Sequence, residues 1–186
     1  MNSNQKLYET IALGLYFRFR DNKCESCNCY NKENLLENSI TFETFVALVM
    51  ENILGGKAEV TKSHGDGGVD IIHTLSNNEV LLGQVKCYAP LNKIDYEPIA
   101  ILHSNMVKIN AKGGYFVTTS DYNTGAKKHA VGENINLING FELAQYWLEH
   151  KQSWINEHKR KTWLDKFNDE INTIIDTVLR FFKYKI

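Results

Sequence analysis

Three polar side chains in two neighbouring apolar segments could carry out chemistry together. Asp70 lies in VDIIHTL, residues 69–75, directly after a glycine-rich stretch, and Gln84 and Lys86 lie in EVLLGQVKCY, residues 79–88. A polar group that is buried without a partner costs free energy. The three residues therefore indicate either a hairpin exposed to solvent or a site built on a buried one.

The geometry of this site depends on the register of the hairpin. Side chains alternate between the two faces of a strand, so Gln84 and Lys86 share one face. If residues 76–78 (SNN) form a three-residue loop, Asp70 lies opposite Gln84, and directly opposed Cβ atoms are about 4.5–5.5 Å apart. A two-residue loop would place Asp70 opposite Val85 and separate the three side chains. We expect the three-residue loop.

Such a cluster contains the groups needed for metal-assisted hydrolysis of a phosphodiester. A carboxylate and an amide oxygen suit a hard cation such as Mg²⁺, which prefers oxygen ligands and keeps several waters. A neighbouring lysine can orient a metal-bound water, lower its pKa or bind phosphate oxygens. On the residues alone, a solvated hairpin with ordinary turn and surface residues remains the alternative.

The surrounding segments predict an α/β fold. Helical spacing of apolar residues marks 5–20, 42–54 and 95–111, and further helices are expected over most of 141–186. Short apolar runs predict strands at 58–62, 69–75, 79–88, 114–119 and 135–138. A meander followed by strand–helix–strand units implies a mixed β-sheet with helices on both faces, plus helical N- and C-terminal extensions.

The composition excludes several classes of protein. Of the 186 residues, 43% are hydrophobic and 23% charged, and the net charge is -1, which is a globular balance without the basic excess common in nucleic-acid binders. No apolar run is long enough to span a membrane, and the N-terminus lacks the pattern of a signal peptide. We expect a cytoplasmic protein.

Between residues 42 and 143 the chain resembles the Mrr-type restriction endonucleases of the PD-(D/E)XK nuclease superfamily. The resemblance rests on FETFVALV, GDGGVDII, GQVKCY, GGYFVTTSDYNTGAKKHA and INLINGFEL, in this order. It implies the restriction-endonuclease-like fold and cleavage of double-stranded DNA with Mg²⁺, for which Mn²⁺ can substitute. We expect the nuclease domain over 39–148, an N-terminal helix and cysteine-containing loop over 1–38, and a helical extension over 149–186.

The resemblance also implies a role for each residue of the hairpin site. Asp70 matches the metal-binding aspartate, Lys86 matches the catalytic lysine, and Gln84 replaces the more usual Asp or Glu as a metal ligand. Glu43 matches a helical glutamate that completes the metal shell through water. An acid in the first helical turn is equally explained by its interaction with the helix dipole.

The expected DNA contacts follow the strand GYFVTT. Thr119 and Ser120 precede a helix that Ser120 or Asp121 would cap, a position where hydroxyls and free amides can bind phosphate. Lys127 and Lys128 lie on that helix and would contact the DNA backbone, although a solvated surface is the default for such residues.

Other candidate residues have structural explanations. His73 falls on the strand face opposite the hairpin site and is expected to pack in the core, and Asp66 is expected to be a turn residue. Cys24, Cys27 and Cys29 lack a fourth zinc ligand nearby in sequence, so ordinary loop cysteines are favoured over a metal site.

The expected function is a Mg²⁺-dependent DNA endonuclease in restriction or defence against foreign DNA. About 40 residues lie on each side of 39–148, too few for a separate recognition domain. Target choice is therefore expected to come from the loops, the terminal helices, another subunit (a second copy in a homodimer or a partner subunit), or conditions that activate the protein. Cleavage of both strands also favours a homodimer, with contacts from the aromatic N-terminal helix and the C-terminal helices. The alternatives are structure-selective cleavage of branched DNA and a catalytically silent DNA-binding or scaffolding subunit.

Overall fold

The structure, a computed structural model, describes residues 3–20, 41–61, 67–157 and 171–173. The helices in these parts of the chain are α1 (Ser3–Arg20), α2 (Phe42–Leu54), α3 (Tyr96–Ile109), α4 (Thr124–Ala130) and α5 (Gly140–Glu157). The strands are β1 (Lys57–Val60), β2 (Ile71–Thr74), β3 (Val80–Lys86), β4 (Gly113–Thr118) and β5 (Ile135–Ile138).

The five strands form one mixed sheet in the order β1-β2-β3-β4-β5. β2 runs antiparallel to both β1 and β3, whereas β4 pairs in parallel with β3 and β5 in parallel with β4. Parallel neighbours need a crossover connection, and α3 and α4 provide the two crossovers. The meander followed by strand–helix–strand units is the arrangement that the sequence predicts.

Helices cover both faces of the sheet, and each face has its own core. Residues of α1, α2 and α5 pack on one face with Val85 and Val117, and residues of α3 and α4 pack on the other with Leu82 and Phe116. Odd-numbered residues of β3 therefore face α2, and even-numbered residues face α3. Gln84 and Lys86 follow Leu82 at alternate positions, so they belong to the α3 face.

The local sequence explains the bounds of α2. The Thr41 side chain accepts a hydrogen bond from the Thr44 N–H at 3.2 Å, as an N-cap does. Gly55, with φ of 70°, ends the helix and donates its N–H to the Glu51 carbonyl. The apolar stripe of the sequence is the buried face, which includes Phe42, Phe45, Val46 and Val49.

The start of α4 differs from the expectation. Its N-cap is Asn123, whose side-chain oxygen accepts a hydrogen bond from the Ala126 N–H at 2.8 Å, and neither Ser120 nor Asp121 caps the helix. The reason is that the chain stays extended after β4, where Tyr122 forms a bridge with Ile94.

The terminal helices are part of the main core. Ile11, Leu15 and Phe19 of α1 are buried in one cluster with Trp147 of α5, and α5 continues past residue 148, the expected end of the nuclease domain. The division into three segments stays a prediction, and the cysteines at 24, 27 and 29 and the aspartate at 66 lie outside the described residues. None of the helices within those residues is long and apolar enough to cross a membrane.

Candidate active site

The hairpin of β2 and β3 has the register of a three-residue loop. Ile71 lies opposite Gly83, and the N–H of Leu75 donates to the carbonyl of Glu79 at 2.8 Å across residues 76–78. The expectation of the longer loop is therefore confirmed. The regular register ends at the Ile71–Gly83 pair, because the next residue back, Asp70, also donates its N–H to the carbonyl of Gly83, at 2.9 Å. Asp70 and Gln84, the candidate metal ligands, therefore flank the last regular pair of the hairpin.

At the open end of this hairpin, away from the loop, the carboxylate of Asp70 takes the place of a backbone hydrogen-bond acceptor. In regular antiparallel pairing of β2 and β3, the N–H of Val85 would donate to the carbonyl of Val69. Instead, Oδ2 of Asp70 accepts the hydrogen bond from the Val85 N–H at 2.7 Å. The Asp70 carboxylate is thereby held beside β3 at the residue between Gln84 and Lys86. A carboxylate has about four lone-pair sites, so this bond is compatible with a bound cation.

Gln84 is buried with an unsatisfied side-chain oxygen. The residue is 4% exposed, and its Oε1 has no hydrogen-bond partner within the described parts of the chain. Leaving such a group unsatisfied costs about 1–3 kcal/mol. This amide oxygen lacks a protein partner, and Gln84 precedes Val85, whose N–H holds the Asp70 carboxylate. Such an oxygen is a suitable ligand for a hard cation. The residues present therefore fit a divalent metal.

Lys86 is half-buried at the end of β3. The parallel register places Lys86 beside Thr118 and Gln84 beside Phe116 on the face that α3 covers. No ion pair between residues that the structure describes involves the Lys86 ammonium. Its charge is therefore not neutralised by a neighbouring carboxylate there, as a lysine that acts on a phosphate requires.

Glu43 is half-buried in the first turn of α2. Within the described ranges, no hydrogen bond or ion pair joins Glu43 to Asp70, Gln84 or Lys86, and no cluster of three His, Cys, Asp or Glu side chains surrounds a metal position. The metal role of Glu43 stays a prediction.

The expected phosphate contacts Thr119 and Ser120 face the protein interior. They are 3% and 7% exposed. The Thr119 hydroxyl donates to the Tyr88 carbonyl at 2.7 Å, and the Ser120 hydroxyl bonds the Thr118 hydroxyl at 3.0 Å. A cavity of about 260 Å³ next to them is also lined by acidic side chains. These contacts tie the end of β4 to the segment after β3. The DNA-binding role of Thr119 and Ser120 stays a prediction.

The two expected DNA-binding lysines of α4 differ in their surroundings. Both are exposed, but Lys127 pairs with Asp121 at 3.2 Å, and Lys93 pairs with the same carboxylate at 3.2 Å. Burial alone would raise the pKa of Asp121, but hydrogen bonds from the Tyr122 N–H and both lysines hold it below its ordinary value. Lys128 forms no ion pair within the described residues.

His73 is a packing residue, as expected. It is fully buried, its Nε2 lies 2.7 Å from the Gly55 carbonyl oxygen, and its ring meets the Tyr115 ring edge to face. These contacts lie on the α2 face of the sheet, on the other side from Gln84. His73 therefore packs beneath the hairpin on the α2 face of the sheet and takes no part in the candidate site.

Asn105 on α3 is a residue of this region that the sequence analysis misses. Its Nδ2 donates to the carbonyl of Gly67, in the turn just before Asp70, at 2.9 Å. The only sequence signal is a half-buried position on a helix that an amide occupies instead of an apolar residue.

The structure defines an α/β protein with a mixed sheet covered on both faces, and an acid, an amide and a lysine lie on one of its hairpins. The model of a restriction endonuclease family, Mrr_cat, matches residues 37–147. The chain belongs to this family. Comparison with curated protein sequences gives no match.

Two solved structures are similar to the chain. The alignment with the DNA modification-dependent restriction endonuclease AspBHI covers 100% of this chain and 43% of the AspBHI chain, with a TM-score of 0.54 and 16% sequence identity. The alignment with the MspJI restriction endonuclease, solved in complex with a 27-mer oligonucleotide, covers 56% of this chain and 26% of the MspJI chain. Its TM-score is 0.48 and its sequence identity 26%. The likeness to AspBHI shows the restriction-endonuclease-like fold. The chain spans less than half the length of either protein.

Proposed function

We propose that this chain is a Mg²⁺-dependent endonuclease that hydrolyses phosphodiester bonds of double-stranded DNA in the cytoplasm, in restriction of foreign DNA. The observation that carries the proposal is the buried, unsatisfied Oε1 of Gln84 on the hairpin that fixes the Asp70 carboxylate. Membership of the restriction endonuclease family supports the same class of reaction.

Each residue of the hairpin has a distinct part in this reaction. Asp70 and Gln84 would hold Mg²⁺, or Mn²⁺ in its place, and Glu43 would complete the shell through water. The metal supplies Lewis-acid stabilisation and a more acidic water. The Val85 N–H keeps the Asp70 carboxylate oriented. The Lys86 ammonium orients the attacking water and stabilises negative charge on the phosphate.

The lysines of α4 are the proposed DNA contacts. Lys128 is exposed and contacts a phosphate directly, whereas Lys127 does so in exchange for its pairing with Asp121. Because one chain has one candidate site, cleavage of both strands needs a homodimer or a partner subunit. Leu13 and Phe17 of α1, which are 40% and 47% exposed, are the proposed contacts, whereas other apolar residues of α1, such as Leu15, are buried within the chain.

The proposal is tested by incubating the purified full chain with supercoiled plasmid, with and without Mg²⁺ or Mn²⁺. Metal-dependent nicking or linearisation by the wild type, and none by Asp70→Asn, is the expected result. Retarded plasmid without cleavage in either metal would instead indicate a silent binding subunit. A four-way junction assayed beside a linear duplex separates general cleavage from structure-selective cleavage.

A further inference from the structure

A side chain of α3 is hydrogen-bonded to the glycine turn before Asp70. Nδ2 of Asn105 donates to the carbonyl of Gly67 at 2.9 Å and to the carbonyl of Ile101 in its own helix at 3.0 Å. Gly67 and Gly68 have φ angles of 61° and 92°, a region that residues with a Cβ rarely adopt. Asn105 therefore anchors a turn that lies outside the strand pairing of the sheet.

The same turn lies against the Gln84 amide. A Cβ built on Gly68 would be 3.3 Å from Oε1 of Gln84 and 2.9 Å from Cγ2 of Ile101. The backbone at Gly68 thus occupies a gap between α3 and the amide that leaves no room for a side chain. A small displacement of the turn would change the surroundings of the unsatisfied Gln84 oxygen.

The turn also leads directly to the other proposed metal ligand. One residue, Val69, separates it from Asp70, and Val69 is 7% exposed in the core that α3 covers. The position of the turn therefore affects both ligands, since it contacts Gln84 in space and reaches Asp70 along the chain.

We propose that Asn105 is a positioning residue for the metal site. Its hydrogen bond to Gly67 holds in place the turn that contacts the Gln84 amide and leads to Asp70, the two residues that would hold the cation. This inference rests on the proposed function, because it needs a cation at the hairpin. Asn105 touches neither DNA nor the cation and acts through Gly67 and Gly68. Residues that orient metal ligands typically change metal affinity or activity by about 10–100-fold when they are replaced.

The test compares Asn105→Ala and Asn105→Leu, which both remove the donor, with Ser104→Ala on the exposed part of the same helix. Mg²⁺ affinity is measured without DNA, from the rise of the unfolding temperature with Mg²⁺ concentration. Hydrogen exchange of the Val69 and Asp70 amides is measured in metal-free protein. We expect both Asn105 variants to bind Mg²⁺ about 10-fold more weakly and to exchange these amides faster, with Ser104→Ala unchanged.

Unchanged Mg²⁺ affinity and amide exchange in Asn105→Ala would overturn the inference. Wild-type behaviour of Asn105→Leu would do so too, because a side chain of similar size would then suffice without a donor. If either variant unfolds, Asn105→Ser, which keeps a shorter donor, should lie between the wild type and a full loss, and equality with the wild type counts against the proposal. A wild type that neither binds Mg²⁺ nor cleaves DNA would instead contradict the proposed function.

Discussion

The carboxylate of Asp70 accepts a hydrogen bond from the backbone N–H of Val85, 2.7 Å away. Val85 is the residue between Gln84 and Lys86, so this single bond ties the acid to the strand segment that carries the other two groups. The bond also means that the Asp70 side chain helps to end the β2–β3 pairing. A substitution at this position therefore changes both charge and strand geometry unless the replacement can still accept a hydrogen bond.

Asp70→Asn separates these two effects. The asparagine oxygen can still accept from Val85, so we expect a folded protein whose metal-free unfolding temperature is close to that of the wild type. Without the negative charge, DNA cleavage should fall by about 10²-fold or more, because the proposed metal contributes several kcal/mol. Circular dichroism and a plasmid assay measure the two outcomes. Metal-dependent cleavage at the wild-type rate would exclude Asp70 as a ligand.

Lys86→Ala should separate chemistry from binding. We expect cleavage to fall by about 10²–10³-fold, the range for loss of a group that stabilises transition-state charge. DNA affinity should change little, since affinity is spread over many phosphate contacts. Single-turnover cleavage and fluorescence anisotropy measure the two quantities. The matched control is Lys108→Ala, which replaces an exposed lysine in the last turn of α3.

The hairpin was predictable from sequence because its register depends on local rules. Polar and apolar residues alternate over Gln84, Val85 and Lys86 at the end of β3, and the three residues 76–78 give a loop of defined length. The positions that face each other follow directly. The order of helices and strands was predictable for a similar reason, since each apolar run matches a helical or strand period. What the alternation does not show is that Asp70 leaves the regular pairing and bonds Val85 with its side chain.

The residues around the hairpin were less predictable because their roles depend on tertiary contacts. Thr119 and Ser120 lie where a strand meets a helix, which favours phosphate binding in general. In the structure both are buried, and their hydroxyls bond the Tyr88 carbonyl and the Thr118 hydroxyl, respectively. Asn105 and Gly67 are 38 residues apart in sequence, and nothing in the local pattern of either indicates that they meet.

Gln84→Glu probes the unusual ligand. An added carboxylate at this position should strengthen cation binding and lower the half-saturating Mg²⁺ concentration for cleavage by about 10-fold, in line with the effect of ligand charge on affinity. Activity at saturating Mg²⁺ should persist. A Mg²⁺ titration of the initial cleavage rate measures both. Gln145→Glu, on the partly exposed surface of α5, is a control for the added charge.

The same variant should show a pH-dependent stability when metal is absent. Position 84 is 4% exposed, and burial raises the pKa of a carboxyl group above its unfolded value. A group with a raised folded pKa contributes most below its unfolded pKa, and that contribution is lost as the pH rises through the folded pKa. The metal-free variant should therefore lose unfolding free energy, relative to the wild type, between pH about 5 and about 8, and Mg²⁺ should restore it. A pH-independent difference would contradict this assignment.

The lysines of α4 should differ in their effect on DNA binding. Lys128→Ala should weaken binding and lower the slope of log affinity against log salt by about 1, as expected for one lost phosphate contact. Asp121→Asn should strengthen binding, because it releases Lys93 and Lys127 from their ion pairs. Affinities at several salt concentrations test both, with Lys112→Ala as a control. An unchanged slope in Lys128→Ala would remove that lysine from the interface.

Removal of the hydroxyl group should affect the unfolding free energy differently at two buried tyrosines. The Tyr115 hydroxyl is buried and has no hydrogen-bond partner among the residues that the structure describes, whereas the Tyr122 hydroxyl donates to the Phe116 carbonyl at 2.6 Å and lies 3.1 Å from the Ile138 carbonyl. Tyr115→Phe should therefore leave the unfolding free energy unchanged or raise it by about 1 kcal/mol, and Tyr122→Phe should lower it by about 1–3 kcal/mol. Urea denaturation measures both changes.

The pH dependence of stability gives an independent check on the same pair. Burial raises the pKa of both phenols, with the negative charge of Glu51 adding to the effect at Tyr115. Because the folded pKa values lie above the unfolded value of about 10, the contribution to stability is complete below that pH and is lost as the pH rises above it. The unfolding free energy of the wild type should therefore fall above pH about 10, and less steeply in Tyr115→Phe. An identical alkaline slope in wild type and variant would mean that Tyr115 ionises within the folded protein.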